Sequence, residues 1–167
     1  MIKNSFFFIA CALIFSSCTI KYSFTGASIP PDAKTVSIAD FNNMAPLINP
    51  LLSNNLTEAL KDKFVSQTNL TLTQEEGDLK FEGTITNYQT QPMAIKSGDV
   101  AAQNRFTITI KVKFTNAKDP KSNYDASFSR YTDYDSSLNF ADEESSLTDE
   151  VVKLLVEDIF NKAVVNW

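Results

Sequence analysis

Arg105-Phe106-Thr107-Ile108-Thr109-Ile110-Lys111-Val112-Lys113-Phe114-Thr115 alternates apolar and polar residues without a break. A period of two marks a strand with one buried face, because successive side chains leave a pleated backbone on opposite sides. The stretch predicts Phe106, Ile108, Ile110, Val112 and Phe114 turned to a core, with Thr107, Thr109, Lys111, Lys113 and Thr115 turned to solvent. Just beyond it, Asp119-Pro120-Lys121-Ser122-Asn123 gathers turn formers. Tyr124 to Tyr134 then alternates again, with Ala126, Phe128 and Arg130 set against Ser127, Ser129 and Tyr131. Two such runs around a short turn predict an antiparallel hairpin.

Working upstream, Leu79, Phe81, Gly83 and Ile85 alternate with Lys80, Glu82, Thr84 and Thr86, a further strand in which Gly83 marks a close approach or a bulge. The segment Gln89 to Asn104 holds Pro92 and Gly98, lacks periodicity and reads as a loop, a candidate for partner contact. Leu70-Thr71-Leu72-Thr73-Gln74 reads as a short strand closed by the turn cluster Glu75-Glu76-Gly77-Asp78. Thr35 to Phe41 alternates as the first strand. Asn49-Pro50 predicts a helix start, with a capping side chain followed by a residue whose missing N–H costs nothing there. Leu52, Leu56, Ala59, Leu60 and Phe64 then share one face of a helix ending near Gln67. A second helix is predicted from about Asp142. It carries two apolar ridges, Leu147-Val151-Leu155-Ile159-Ala163-Trp167 and Val152-Val156-Phe160-Val164. The order strand, helix, antiparallel strands, helix predicts an α+β two-layer sandwich. In it, two helices pack on one face of a mostly antiparallel sheet of four to five strands.

At the N-terminus, Lys3 precedes the apolar run Phe6 to Phe15, which is followed by Ser16-Ser17-Cys18. These are the parts of a secretory signal, and the run is too short to span a bilayer. A cysteine directly after two small residues resembles a bacterial lipobox, although Phe15 departs from its usual aliphatic residue. The expected division is residues 1–17 as signal peptide, 18–30 as a tether lipidated at Cys18, and 31–167 as one domain.

Composition narrows the chemistry. A net charge of −5 speaks against nucleic acid. With no histidine, Ser-His-Asp and Cys-His nucleophiles are excluded and the commonest metal ligand is missing. Cys11 falls within the signal, and lipid would cap Cys18, which leaves no thiol for zinc or a disulfide. The glycines at 26, 77, 83 and 98 form no phosphate-cradling loop. Asp133, Asp135, Ser137, Asn139 and Glu144 fall at the oxygen-ligand spacing of a calcium loop, but Leu138 stands where that loop requires glycine. Glu143 and Glu144, adjacent on a helix, point apart and form no acid–base pair. Neither enzyme activity, nor a cofactor, nor a metal is expected. Arg105, Lys111 and Lys113 form the best polar feature. They read either as a solvent face that discourages edge pairing or as a surface meeting acidic groups such as lipid phosphates.

Cys18, Tyr22-Ser23-Phe24-Thr25-Gly26-Ala27-Ser28-Ile29-Pro30, Lys34-Thr35-Val36-Ser37-Ile38, Asn49-Pro50, Thr57-Glu58-Ala59-Leu60-Lys61-Asp62 and Gly77-Asp78-Leu79 resemble the LptE family of lipopolysaccharide-assembly lipoproteins, in its Bacteroidota branch. Asn104-Arg105, Tyr131-Thr132-Asp133-Tyr134, Asp158-Ile159-Phe160-Asn161-Lys162 and Asn166-Trp167 continue the likeness. The resemblance implies a periplasm-facing outer-membrane lipoprotein with two helices on a small sheet. Such a protein plugs the LptD β-barrel, helps assemble it and supports lipopolysaccharide passage to the outer leaflet. Thr19 after the lipidated cysteine fits export to that membrane. The alternative is an envelope lipoprotein that binds a ligand or scaffolds a complex unrelated to lipopolysaccharide.

Overall fold

A computed structural model describes residues 29–47, 49–93 and 102–164. Its elements are β1 (Thr35–Ile38), β2 (Asn42–Asn43), α1 (Leu52–Gln67), β3 (Thr71–Leu72), β4 (Leu79–Pro92), β5 (Gln103–Asn116), β6 (Tyr124–Asp135) and α2 (Phe140–Val164). The alternating stretch is strand β5, paired antiparallel with β4 on one side and β6 on the other. Its five predicted core residues are all buried.

Two helices cover one face of the sheet, as the α+β reading predicts, but the sheet is larger and mixed. It has six strands in the order β3-β1-β4-β5-β6, with β2 also on β4. The parallel pairs are β1 with β3, β1 with β4, and β2 with β4. They arise because α1 carries the chain back to the starting end, so β3 and β4 run alongside β1 instead of against it. Periodicity reports which face of a strand is buried and not which way its neighbour runs.

Strand β1 is shorter than the predicted Thr35–Phe41. It and β2 lie in line along β4, where the Ala39 N–H reaches the Phe81 carbonyl (3.0 Å) and the Met44 N–H reaches the Ile85 carbonyl (2.9 Å). Between them the backbone turns toward α1. The Phe41 N–H donates to Thr57 Oγ1 (3.2 Å), and Ser53 Oγ donates to the Phe41 carbonyl. Two hydroxyls one helical turn apart thus replace the missing sheet bonds. The Phe41 ring lies over Gly83, where a Cβ would stand 2.2 Å from its Cε1. Gly83 accommodates a close approach, as expected, and the approaching group is an aromatic ring from the interrupted strand.

The segment predicted as a loop from Gln89 to Asn104 is largely strand at its ends, since β4 runs to Pro92 and β5 starts at Gln103. A bulge explains the lost periodicity: the register skips Thr86 between Ile85 and Asn87. It moves the buried face from odd to even positions, so Tyr88 enters the core. Residues 94–101 of that segment lie outside the described residues.

Helix α1 begins at Leu52, two residues later than Asn49-Pro50 predicts, with no side-chain cap on Leu51. Asn49 Oδ1 accepts the Leu51 N–H (2.9 Å), but its amide is drawn elsewhere, to Tyr88 and Glu144. Both ridges of α2 are buried along its described length, apart from the partly buried Ala163. An aromatic chain joins the layers: Phe64 meets Phe81 (4.9 Å between centroids) and Phe160 (5.1 Å), and Phe81 meets Phe114 (4.8 Å). Each of these rings contributes about 1.5–3 kcal/mol through burial.

Candidate functional site

Strand β5 sends its odd-numbered side chains to the face that neither α1 nor α2 covers. Arg105, Lys111 and Lys113 all project there, as the alternation predicts, but they do not converge. Lys111 and Lys113 are neighbours near one end. Arg105 lies six positions from Lys111, about 20 Å along the strand. Each cation also faces a carboxylate. Arg105 grips Asp133 with two bonds (2.7 and 2.8 Å), and its guanidinium lies 3.6 Å above the Tyr131 ring. These hydrogen bonds, reinforced by the opposite charges, hold the Asp133 carboxyl below its ordinary range and raise the Arg105 guanidinium above its own. A bidentate pair stacked on a ring is a fixed assembly.

The lysines are held more loosely. Lys111 Nζ lies 3.2 Å from Asp125, and Lys113 Nζ lies 3.7 Å from Glu82. Their side chains remain 57% and 64% exposed, so both ammonium groups can turn to an incoming anion. Exposed pairs of this kind contribute about 0–1 kcal/mol each. The facing carboxylates were not readable from the sequence: counting outward from the Asp119–Asn123 turn sets Asp125 opposite Ala117, whereas the strands pair it with Lys113, a cross-strand pair of opposite charge.

A second polar cluster lies among the helix starts. Glu144 Oε1 accepts from Tyr88 OH (2.6 Å) and from Asn49 Nδ2 (2.9 Å), and Tyr88 OH also meets Thr148 Oγ1 (3.3 Å). Burial, reinforced by the bond to Glu144, raises the Tyr88 phenol above its ordinary range. The arrangement ties both helix starts to β4, and Glu143 takes no part in it. The residues at calcium-loop spacing are dispersed over separate tasks. Asp133 holds Arg105, Asp135 accepts from Ser137 N–H (2.8 Å), and Glu144 holds Tyr88. Among the described residues no group of His, Cys, Asp and Glu is placed to hold a metal ion.

The sheet-to-helix loop supplies a third feature. From Phe41 to Thr57 the chain carries no charge. Met44, Leu47 and Leu51 stand exposed there at 74%, 55% and 67%. The loop is stiffened from within, with Asn43 Nδ2 donating to the Asn49 carbonyl (3.2 Å) and Asn43 Oδ1 accepting the Ala45 N–H (3.1 Å). Cys18 lies outside the described residues. Among those described, no helix is long and apolar enough to cross a membrane.

A search among curated proteins returned no relative by sequence. Solved structures share the fold at low identity. A minor lipoprotein from Acinetobacter baumannii matches with a TM-score of 0.51 and 13% identity, over 78% of this chain and 91% of that one. The hypothetical protein CT253 from Chlamydia trachomatis matches with a TM-score of 0.53 and 10% identity, over 80% of this chain and 99% of that one. The family model described as LptE, Lipopolysaccharide-assembly, matches residues 33–163, from just ahead of β1 almost to the end of α2. With the match running through both helices and the whole sheet, the chain belongs to the LptE family.

Proposed function

We propose that this protein is a non-enzymatic outer-membrane lipoprotein, facing the periplasm and held by acyl chains on Cys18. It plugs and helps assemble an LptD-like β-barrel and supports lipopolysaccharide transport to the outer leaflet. Residues 1–17 serve as its signal, 18–30 as its tether and 31–167 as its domain. The observation that carries this reading is the family match over residues 33–163. Two surfaces support it. The stiffened apolar loop at Met44, Leu47 and Leu51 offers a contact for a protein wall. Lys111 and Lys113, exposed and side by side, suit phosphate groups of lipopolysaccharide, while Arg105 orders the far end of the same face through Asp133.

Affinity purification of the full chain from its own membranes tests the reading. A large β-barrel should co-purify, and Leu47→Asp should reduce its recovery without lowering the melting temperature. Lys111→Ala with Lys113→Ala should leave barrel recovery intact and weaken lipopolysaccharide retention by about tenfold, the loss of one or two charge-assisted contacts. Purification without any barrel would overturn the proposal, and normal surface lipopolysaccharide after depletion would favour the scaffolding alternative.

A further inference from the structure

Strand β6 ends the sheet on one side, and among the described residues half of its backbone has no partner strand. The Ser136 N–H donates to the Ala102 carbonyl (3.0 Å), so the even-numbered residues here are the ones turned to β5. Antiparallel alternation then directs the N–H and C=O groups of Asp125, Ser127, Ser129, Tyr131 and Asp133 away from the sheet. Among the described residues no backbone group meets them. An edge of this length is a template for another strand unless it is blunted by proline, lysine, a bulge or an inward charge. From Tyr124 to Asp135 there is no proline, lysine or register shift. Arg130, which does point inward, is already neutralised by Asp158 through bonds of 2.5 and 2.6 Å.

We propose that β6 accepts an added strand from a partner protein, and that this strand carries lysine or arginine on its solvent-facing positions. The open face alternates in sign from strand to strand. Glu82 on β4 meets Lys113 on β5, Lys111 on β5 meets Asp125 on β6, and Arg105 on β5 meets Asp133 on β6. A cation on the next strand continues both rows. On the other face the added strand meets half-buried Phe128 and, on the flank of α2, Leu154, which is one turn before Asp158 and 39% exposed. Apolar residues at the alternate positions suit that shoulder.

Two other occupants fit less well. A second copy, pairing antiparallel about Ser129, would set Asp125 against Asp133, carboxylate against carboxylate. The chain's own N-terminal segment is the other: Ile29 and Pro30, where the described residues start, lie beside Ser66–Leu70 at the β3 side, the edge of the sheet opposite β6.

Amide hydrogen exchange on the full chain in detergent, followed residue by residue by NMR, tests the inference. The amides of Asp125, Ser127, Ser129, Tyr131 and Asp133 should exchange freely in the protein alone. They should slow on addition of a peptide of alternating valine and lysine. A peptide with glutamate for lysine, or with alternate amides methylated, should bind about tenfold more weakly or not at all. Ser129→Pro removes an outward N–H and no backbone bond to β5, its only other loss being the hydroxyl contact with Thr109 Oγ1 (2.9 Å), and should weaken binding comparably. If that variant loses stability, the methylated peptide makes the same test without altering the chain. Protection of these amides in the protein alone would overturn the proposal, in favour of the N-terminal segment if independent of concentration and of a second copy if not. Absent binding, or equal binding of the glutamate peptide, would overturn it as well.

Discussion

Gly83 shows how far one side chain's absence can reach. Phe81 and Ile85, on the same side of the strand, face the core, yet the space above Gly83 belongs to Phe41, whose ring would collide with any Cβ. Gly83→Ala must therefore displace a fully buried ring, at a cost of about 1–3 kcal/mol. Urea denaturation should report that loss, and Phe41→Leu in the same chain should recover part of it, because the two positions share one space. A glycine on the inward side of a strand was legible as a sign of close approach. The identity of the approaching group was not, because Phe41 lies 42 positions earlier and looks like an ordinary strand residue.

Elements here are joined by hydroxyls as much as by apolar faces. Thr57 is buried, accepts the Phe41 N–H and donates to the Ser53 carbonyl (2.8 Å), while Ser53 covers the Phe41 carbonyl. Thr57→Val keeps the shape and leaves a buried N–H unpaired, which costs about 1–3 kcal/mol. Thr57→Ser keeps the bond and should be milder. Thermal melts of the two variants check the order. The helices, the hairpin and the buried face of β5 were readable because they follow periods of 3.6 and 2. The break between β1 and β2, the delayed start of α1 and the extension of β4 were not. Each depends on a polar atom finding a distant partner: Phe41 finds α1, Asn49 finds Tyr88 and Glu144, and the bulge shifts the pattern by one. The same holds for the cationic face, where the positions of Arg105, Lys111 and Lys113 were legible but their carboxylate partners required the register.

The whole molecule is knit at one end around a multiply bonded carboxylate and at the other around a buried phenol. At the first end Asp78 Oδ2 accepts from Lys34 N–H (2.8 Å), Thr35 N–H (3.1 Å) and Thr35 Oγ1 (3.1 Å), and Lys118 Nζ lies 3.0 Å from Oδ1. These donors, the Lys34 amide foremost, hold its carboxyl well below the ordinary carboxylate range. Because the folded group titrates below its unfolded counterpart, near pH 4, the unfolded chain takes up the proton first. The contribution is complete above that range and lost as pH falls. Asp78→Asn should thus lower the melting temperature at neutral pH, with the gap from wild type closing in acid. At the other end, the loop from Met44 to Leu51 and the starts of both helices gather around Tyr88. Tyr88 reaches them only because of the bulge at Thr86, and that single residue also governs how the protein can change in length. Upstream of it the core positions of β4 are odd and downstream they are even. Removing Thr86 would join the two phases into one regular strand with Tyr88 still facing inward. A deletion elsewhere in β4 would exchange core for solvent over the residues between it and the bulge. Relatives that gain or lose one residue in this strand should do so at this position.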